Sequence, residues 1–143
     1  MEDRILIADD EEQIRNILYK LLTKKGYEVK SIANGSKITG TVKSFHPHVL
    51  LLDQCMPEMD GMELAQKISN IEGTTRKILL HSSADSLINS KNMSKYGIDS
   101  KLEKPVKQDD LFRMLNRLKK RDLTNLFYIF NLEEKLDNMK KLK

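Results

Sequence analysis

The chain has 143 residues, of which 39% are hydrophobic and 32% charged, as expected for a single domain with a buried core. Its one cysteine, Cys55, excludes an internal disulfide. No apolar run approaches the ~18 residues of a membrane span, and the N-terminus lacks a secretory signal. We therefore expect a cytoplasmic protein without membrane insertion.

Five short apolar segments alternate along the chain with five helical patterns. The strands are predicted at residues 5–8, 27–32, 49–52, 78–80 and 100–102. The helices are predicted at about 11–25, 34–45, 61–71, 86–96 and from 108 past 118. This alternation is typical of a doubly wound α/β fold, in which a parallel five-stranded sheet has helices on both faces.

Polar side chains follow four of the five predicted strands. Asp9 and Asp10 follow the first strand, Asp53 the third, Ser82 the fourth and Lys104 the fifth. Because ligands bind outside the carboxyl ends of the strands in such sheets, we expect these residues to converge on one edge. The acids after the first strand could instead simply cap the first helix, but their register with Asp53 and Lys104 favours a site.

Three carboxylates in one place repel each other, and a hard divalent cation such as Mg²⁺ is the natural way to offset that repulsion. The chain has no histidine or cysteine cluster, so zinc is not expected. A metal, an amine and a hydroxyl around one carboxylate suit the transfer of a phosphoryl group to that carboxylate.

These residues resemble the receiver domain of the bacterial response-regulator family, of the chemotaxis-regulator type. The resemblance covers residues 3–120 and rests on Asp9-Asp10, Asp53, the run 56–61, Ser82 and Lys104-Pro105. It implies a flavodoxin-like (βα)5 three-layer sandwich. It further implies a two-component signalling protein that is phosphorylated and switches conformation, with at most a slow hydrolysis of its own acyl phosphate.

The resemblance also implies a role for each site residue. Asp53 would accept the phosphoryl group from a phosphohistidine, and Ser82 and Lys104 would contact that group. Mg²⁺ would be held by Asp10 directly, by Asp9 mostly through water, by Asp53, and by the backbone carbonyl of Cys55. The Lys104-Pro105 bond would be cis, and the Asp60-Gly61 turn would cap the third helix.

One position departs from the family pattern. The residue three before the lysine is usually aromatic and turns inward on activation, but here it is Lys101. Since burying a charge is costly, we expect Lys101 to stay exposed, which puts the usual serine–aromatic switch in doubt. A phosphorylation-independent interaction module therefore remains the alternative. A dehalogenase-type phosphatase is disfavoured, because it needs an acid where Cys55 stands.

The C-terminal segment carries the net charge of +4, since residues 117–143 hold 8 basic and 4 acidic residues. We predict a receiver domain over residues 1–121 and a helical extension over 122–143, which is too short for a DNA-binding output domain. Nucleic acid is therefore not an expected partner. The expected partners are a sensor histidine kinase or its phosphotransfer domain, and a second copy through the C-terminal helix. A stand-alone regulator and the receiver segment of a hybrid kinase both fit.

Overall fold

The computed structural model describes residues 3–56, 59–71, 73–81 and 89–119. Two compact units divide the chain, Met1–Gln108 and Asp109–Lys143, and each is described by itself. Three predicted features lie outside the described residues: Ser82, the beginning of the predicted helix 86–96, and the extension 122–143. They stay predictions.

Strands and helices alternate through the first unit. The strands are β1 (Arg4–Ala8), β2 (Glu28–Ile32), β3 (Val49–Asp53), β4 (Cys55–Met56), β5 (Met59–Asp60), β6 (Arg76–His81) and β7 (Ser100–Glu103). The helices are α1 (Glu12–Lys24), a 3₁₀ turn (Gly35–Lys37), α2 (Ile38–Phe45), α3 (Gly61–Ile71) and α4 (Ser90–Tyr96). Each predicted strand and each of the first four predicted helices therefore has a counterpart.

Five of the strands form one parallel sheet in the order β2-β1-β3-β6-β7. The fold class predicted from the sequence is thereby confirmed. The central strands β1 and β3 are buried along nearly their whole length, because both faces of the sheet are covered. The edge strand β2 keeps exposed residues along its length, as its alternating sequence indicates.

Local signals in the sequence position α1 and α4. In α1, Leu18 and Leu22 are buried one turn apart, and Gly26 follows the helix with a φ of 98°, as expected of a glycine at a helix C-terminus. In α4, the Asn89 side chain caps the helix by accepting a hydrogen bond of 2.9 Å from the Asn92 amide.

The largest fully buried side chains come mainly from the central strands and from α3, and they include Ile7, Leu51, Leu52 and Ile68.

Within the described residues no helix is both long and apolar enough to cross a membrane. A last helix begins at residue 108, where the first unit ends, and is described to residue 119 in the second unit. Leu111, Leu115 and Leu118 are buried along one side of it.

Two details differ from the sequence prediction. The fourth strand of the sheet, β6, begins at Arg76 rather than at residue 78, so it includes two basic residues. The segment 54–60, which carries no predicted helix or strand, contains a two-residue antiparallel ladder in which Cys55 pairs with Asp60 and Met56 with Met59. A ladder this short has no periodicity that a sequence could display.

Candidate functional site

The acidic residues gather where β1 and β3 end side by side. Ala8 pairs with Leu52 in the sheet, so Asp9 and Asp53 occupy the next positions along the two strands. Asp9 is fully buried and Asp53 is 5% exposed, whereas Asp10 is exposed. One carboxylate oxygen from each of the three lies within 4.8 Å of the others. The predicted convergence of these carboxylates is therefore present.

Lys104 brings a positive charge to the same place. Its backbone amide donates a hydrogen bond of 2.7 Å to the His81 carbonyl, which ties the end of β7 to β6. Its Nζ lies 3.0 Å from Asp9 Oδ2, 3.2 Å from Asp53 Oδ1 and 3.9 Å from Glu11 Oε1. The following bond to Pro105 is cis, as expected. The ammonium thus contacts both buried carboxylates.

Burial and crowding shape the protonation of this cluster. Burial, and then the charge of Asp9, raise the pKa of Asp53 to about 6, and Lys104 opposes that rise. Burial alone lowers the pKa of the Lys104 ammonium, but the adjacent carboxylates of Asp9 and Asp53 outweigh it and raise that pKa above its usual value. Lys104 therefore stays charged at neutral pH, while Asp53 is poised to exchange its proton.

The donor set suits a hard divalent cation. Asp9 Oδ2 is buried, and among the described residues it has no partner other than the Lys104 ammonium. A carboxylate oxygen carries two lone pairs, so an acceptor position on Oδ2 stays open. Three oxygen ligands at this spacing, one of them exposed to solvent, fit Mg²⁺, which keeps several waters when it binds to proteins.

A tight turn at Gly61 packs against the backbone of Asp53 and Gln54. A Cβ atom on Gly61 would lie 2.7 Å from the Asp53 carbonyl oxygen and 2.9 Å from Gln54 Cα, so only glycine fits there. Gly61 donates a backbone hydrogen bond of 2.9 Å to Gln54. The Asp60 side chain accepts a hydrogen bond of 2.9 Å from the Met62 amide and caps α3, as the resemblance implies.

Sequence reasoning missed one supporting contact. Arg15 Nη1 donates a hydrogen bond of 2.8 Å to the backbone carbonyl of Asp9, and so links α1 to the end of β1. A second contact on the same residue, from the Glu11 amide to Asp9 Oδ1 at 2.9 Å, fixes the Asp9 carboxylate. The signal for Arg15 was weak, because an arginine in the first turns of a helix usually faces solvent.

The structure therefore brings together four of the predicted site residues, Asp9, Asp10, Asp53 and Lys104. Cys55 follows them in β4, and a role for its carbonyl in metal binding stays a prediction. Lys101, on β7, is exposed, as expected for a charged residue at that position. The role of Ser82 stays a prediction as well.

Comparison with known proteins gives a consistent picture. The family described as response regulator receiver domain matches residues 5–116. Sporulation initiation phosphotransferase F of Bacillus subtilis is 35% identical over 80 residues, which are 56% of this chain and 64% of that protein. Response regulator MprA of Mycobacterium bovis is 30% identical over 121 residues, which are 85% of this chain and 52% of that protein. The chain thus spans less than two thirds of both relatives.

Among solved structures, a CheY-like response regulator receiver domain protein from Methanospirillum hungatei is similar, with a TM-score of 0.80 and 27% sequence identity. The match covers 87% of this chain and 99% of that one. The signal receiver domain of an HD domain-containing protein from Pseudomonas fluorescens shares the fold, with a TM-score of 0.79 at 22% identity, over 87% of this chain and 99% of that one.

Proposed function

The chain belongs to the family of response regulator receiver domains of two-component systems, and we propose that it accepts a phosphoryl group on Asp53. The donor is a phosphohistidine of a sensor histidine kinase or of a phosphotransfer domain. The observation that carries the proposal is the Lys104 ammonium, which lies 3.0 Å from Asp9 and 3.2 Å from Asp53. This arrangement offers one carboxylate as nucleophile and a fixed cation beside it.

Asp53 is available as a nucleophile at neutral pH. With a pKa of about 6, the Asp53 carboxyl group is ionised in most molecules at pH 7. A carboxylate oxygen attacks the phosphorus atom of the donor, the bond between phosphorus and the imidazole nitrogen breaks, and its electron pair stays on that nitrogen. The product is an acyl phosphate on Asp53.

The surrounding residues stabilise the charge on the transferred group. Lys104 is placed to pair with the phosphoryl oxygens, because its Nζ already lies within 3.2 Å of an Asp53 oxygen. Asp9, Asp10, Asp53 and the Cys55 carbonyl are proposed to hold Mg²⁺, which when bound neutralises charge on the phosphoryl oxygens. We assign to the Ser82 hydroxyl a hydrogen bond to the same oxygens.

Phosphorylation changes the balance of charge around Lys104. The acyl phosphate carries about one and a half to two negative charges in place of the single charge of the ionised carboxylate, so the ammonium gains a stronger partner than Asp9. A local change of this kind shifts the domain between two conformational populations. Because Lys101 is exposed on β7, we propose that this shift proceeds without burial of an aromatic side chain at that position.

The test is the intact mass of the full chain after incubation with acetyl phosphate. We expect the mass of one phosphoryl group to be added with Mg²⁺ present, and no addition with EDTA or in the variant Asp53→Asn. Glu28→Gln, an exposed carboxylate on β2, is the matched control and should behave as wild type. An unmodified wild-type chain that also binds no Mg²⁺ would favour a phosphorylation-independent interaction module.

A further inference from the structure

A second polar site lies at the opposite edge of the sheet. A cavity of about 310 Å³ is present where β6 and β7 begin, near the ends of α3 and α4. Its lining includes Ser69, Arg76, Lys77, Ser94 and Asp99. All of these residues belong to the first compact unit. The phosphoryl-transfer chemistry proposed above uses none of them.

The cavity is separate from the acidic cluster. Asp53 pairs with Leu80 in the sheet, and Lys77 lies three residues earlier on β6. At about 3.3 Å of rise per residue in a parallel strand, the two levels are roughly 10 Å apart along the strand. A ligand in this cavity therefore cannot contact the carboxylates that surround Lys104.

Lys77 is the unusual residue of the cavity. Only 4% of it is exposed, which is rare for a lysine. Its Nζ donates one hydrogen bond of 3.0 Å, to the Thr75 carbonyl. An ammonium has three donors, so two remain without a protein acceptor in the part of the chain that the structure describes. Burial lowers the pKa of this ammonium below its usual value.

The neighbouring acid does not satisfy Lys77. Asp99 Oδ2 accepts a hydrogen bond of 2.8 Å from the backbone amide of Lys77, and Asp99 Oδ1 lies 3.3 Å from Arg76 Nη1. Each carboxylate oxygen has one of these partners, a main-chain donor or a guanidinium, and within the described residues neither oxygen forms an ion pair with the Lys77 ammonium. Among the lining residues that the structure describes, two cations and one carboxylate give a net positive charge.

The negative partial charge at the C-terminal ends of α3 and α4 accounts for part of the positive charge at this cavity. Cations are favoured near the C-terminus of a helix, and α3 and α4 both end at this cavity. That explains a half-buried basic residue such as Arg76. It does not explain why Lys77 is withdrawn from water with a single hydrogen bond, since an unsatisfied buried charge is costly.

We propose that this cavity binds a small oxyanion, such as inorganic phosphate, with Lys77 as the principal ligand residue. An oxyanion supplies several acceptors in one small volume and meets both open donors of the ammonium. Ser69 and Ser94 also line the cavity, and the Ser69 hydroxyl donates a hydrogen bond of 3.1 Å to the Ala65 carbonyl. The inference stands apart from phosphorylation of Asp53, because it uses a different edge of the sheet.

The test is a nuclear magnetic resonance titration of the full chain with inorganic phosphate in the absence of Mg²⁺. The amide signal of Gly97 reports on the cavity, and that of Gly61 reports on the acidic site. We expect saturable shifts of Gly97 and of the Lys77 side-chain signals with one common midpoint. Parallel titrations with sulfate and acetate show whether the cavity selects a tetrahedral oxyanion or accepts any small carboxylate.

The variant Lys77→Met removes the ammonium and retains most of the side-chain volume. We expect it to weaken binding by about tenfold or more, since a charge-assisted hydrogen bond is lost. Lys67→Met, at an exposed position on α3, should leave the midpoint unchanged. Three results would overturn the proposal. The midpoint could be equal in Lys77→Met and wild type, the shift of the Gly97 signal could fail to saturate, or the Gly61 signal alone could shift. If Lys77→Met does not fold, the wild type alone provides the test. Saturable shifts of its Lys77 side-chain signals then support the proposal, and unchanged Lys77 signals overturn it.

Discussion

The protonation of Asp53 makes a quantitative prediction about stability. The pKa of Asp53 is raised from 3.8 to about 6 in the folded chain, chiefly by burial and by the charge of Asp9. A difference of about two units corresponds to about 3 kcal/mol, which the ionised carboxylate costs the folded state at pH 8. Asp53→Asn removes this charge without changing the shape of the side chain. We therefore expect the variant to be more stable than wild type at pH 8, by on the order of 3 kcal/mol.

The sign of the pH dependence follows from the same two pKa values. Between pH 6 and pH 4 the folded wild type binds a proton at Asp53 that the unfolded chain does not yet bind, so the contribution of Asp53 to the free energy of unfolding rises as the pH falls. Asparagine binds no proton in either state. The advantage of Asp53→Asn should therefore shrink through this window and vanish near pH 4.

The assay is urea unfolding with EDTA present, at pH values from 8 to 4, for wild type, Asp53→Asn and the control Glu28→Gln. Glu28 is exposed, so its variant should follow the wild-type curve. A lower free energy of unfolding for Asp53→Asn at pH 8, or a difference from wild type that stays constant with pH, would refute the reasoning.

Three further predictions concern the support of the site. Gly61→Ala should lower the free energy of unfolding by about 1–3 kcal/mol in urea titrations, because its Cβ would lie 2.7 Å from the Asp53 carbonyl oxygen; an unchanged midpoint would contradict this. Asp60→Ala removes the α3 cap and should cost about 0.5–2 kcal/mol in the same assay, whereas Asp60→Asn should retain most of it. Lys104→Met should raise the pKa of Asp53 further, since the ammonium opposes that rise; carboxyl carbon chemical shifts measured against pH would show it, and a lower pKa would contradict it.

The sequence predicts the sheet and most of the site for one physical reason. Buried parallel strands appear as continuous apolar runs, and their carboxyl ends meet at one edge. Asp9 and Asp53 each follow such a run and Lys104 follows the last strand, and the structure places the Lys104 ammonium in contact with both carboxylates. The convergence therefore required only the order of the elements and no knowledge of side-chain packing.

Two features of the structure depend on packing and could not be predicted from the sequence, namely the close approach at Gly61 and the burial of Lys77. The sequence indicates that Gly61 lies in a turn, but the close approach to Asp53 that requires glycine depends on how α3 meets the end of β3. The charges at Arg76 and Lys77 look like the polar boundary of a strand. The ladder with β3 nevertheless begins at Arg76, and burial of Lys77 depends on a cavity that only the folded chain forms.

The most direct test of the account is the identity of the phosphorylated side chain. The full chain is incubated with acetyl phosphate and Mg²⁺, reduced with borohydride, which converts an acyl phosphate on aspartate to homoserine, and mapped by peptide mass spectrometry. The account predicts homoserine at position 53 and unmodified Asp9 and Asp10. Homoserine at position 9 or 10 with Asp53 intact would contradict it. A phosphoryl group that resists hydroxylamine and remains on a serine would contradict it as well.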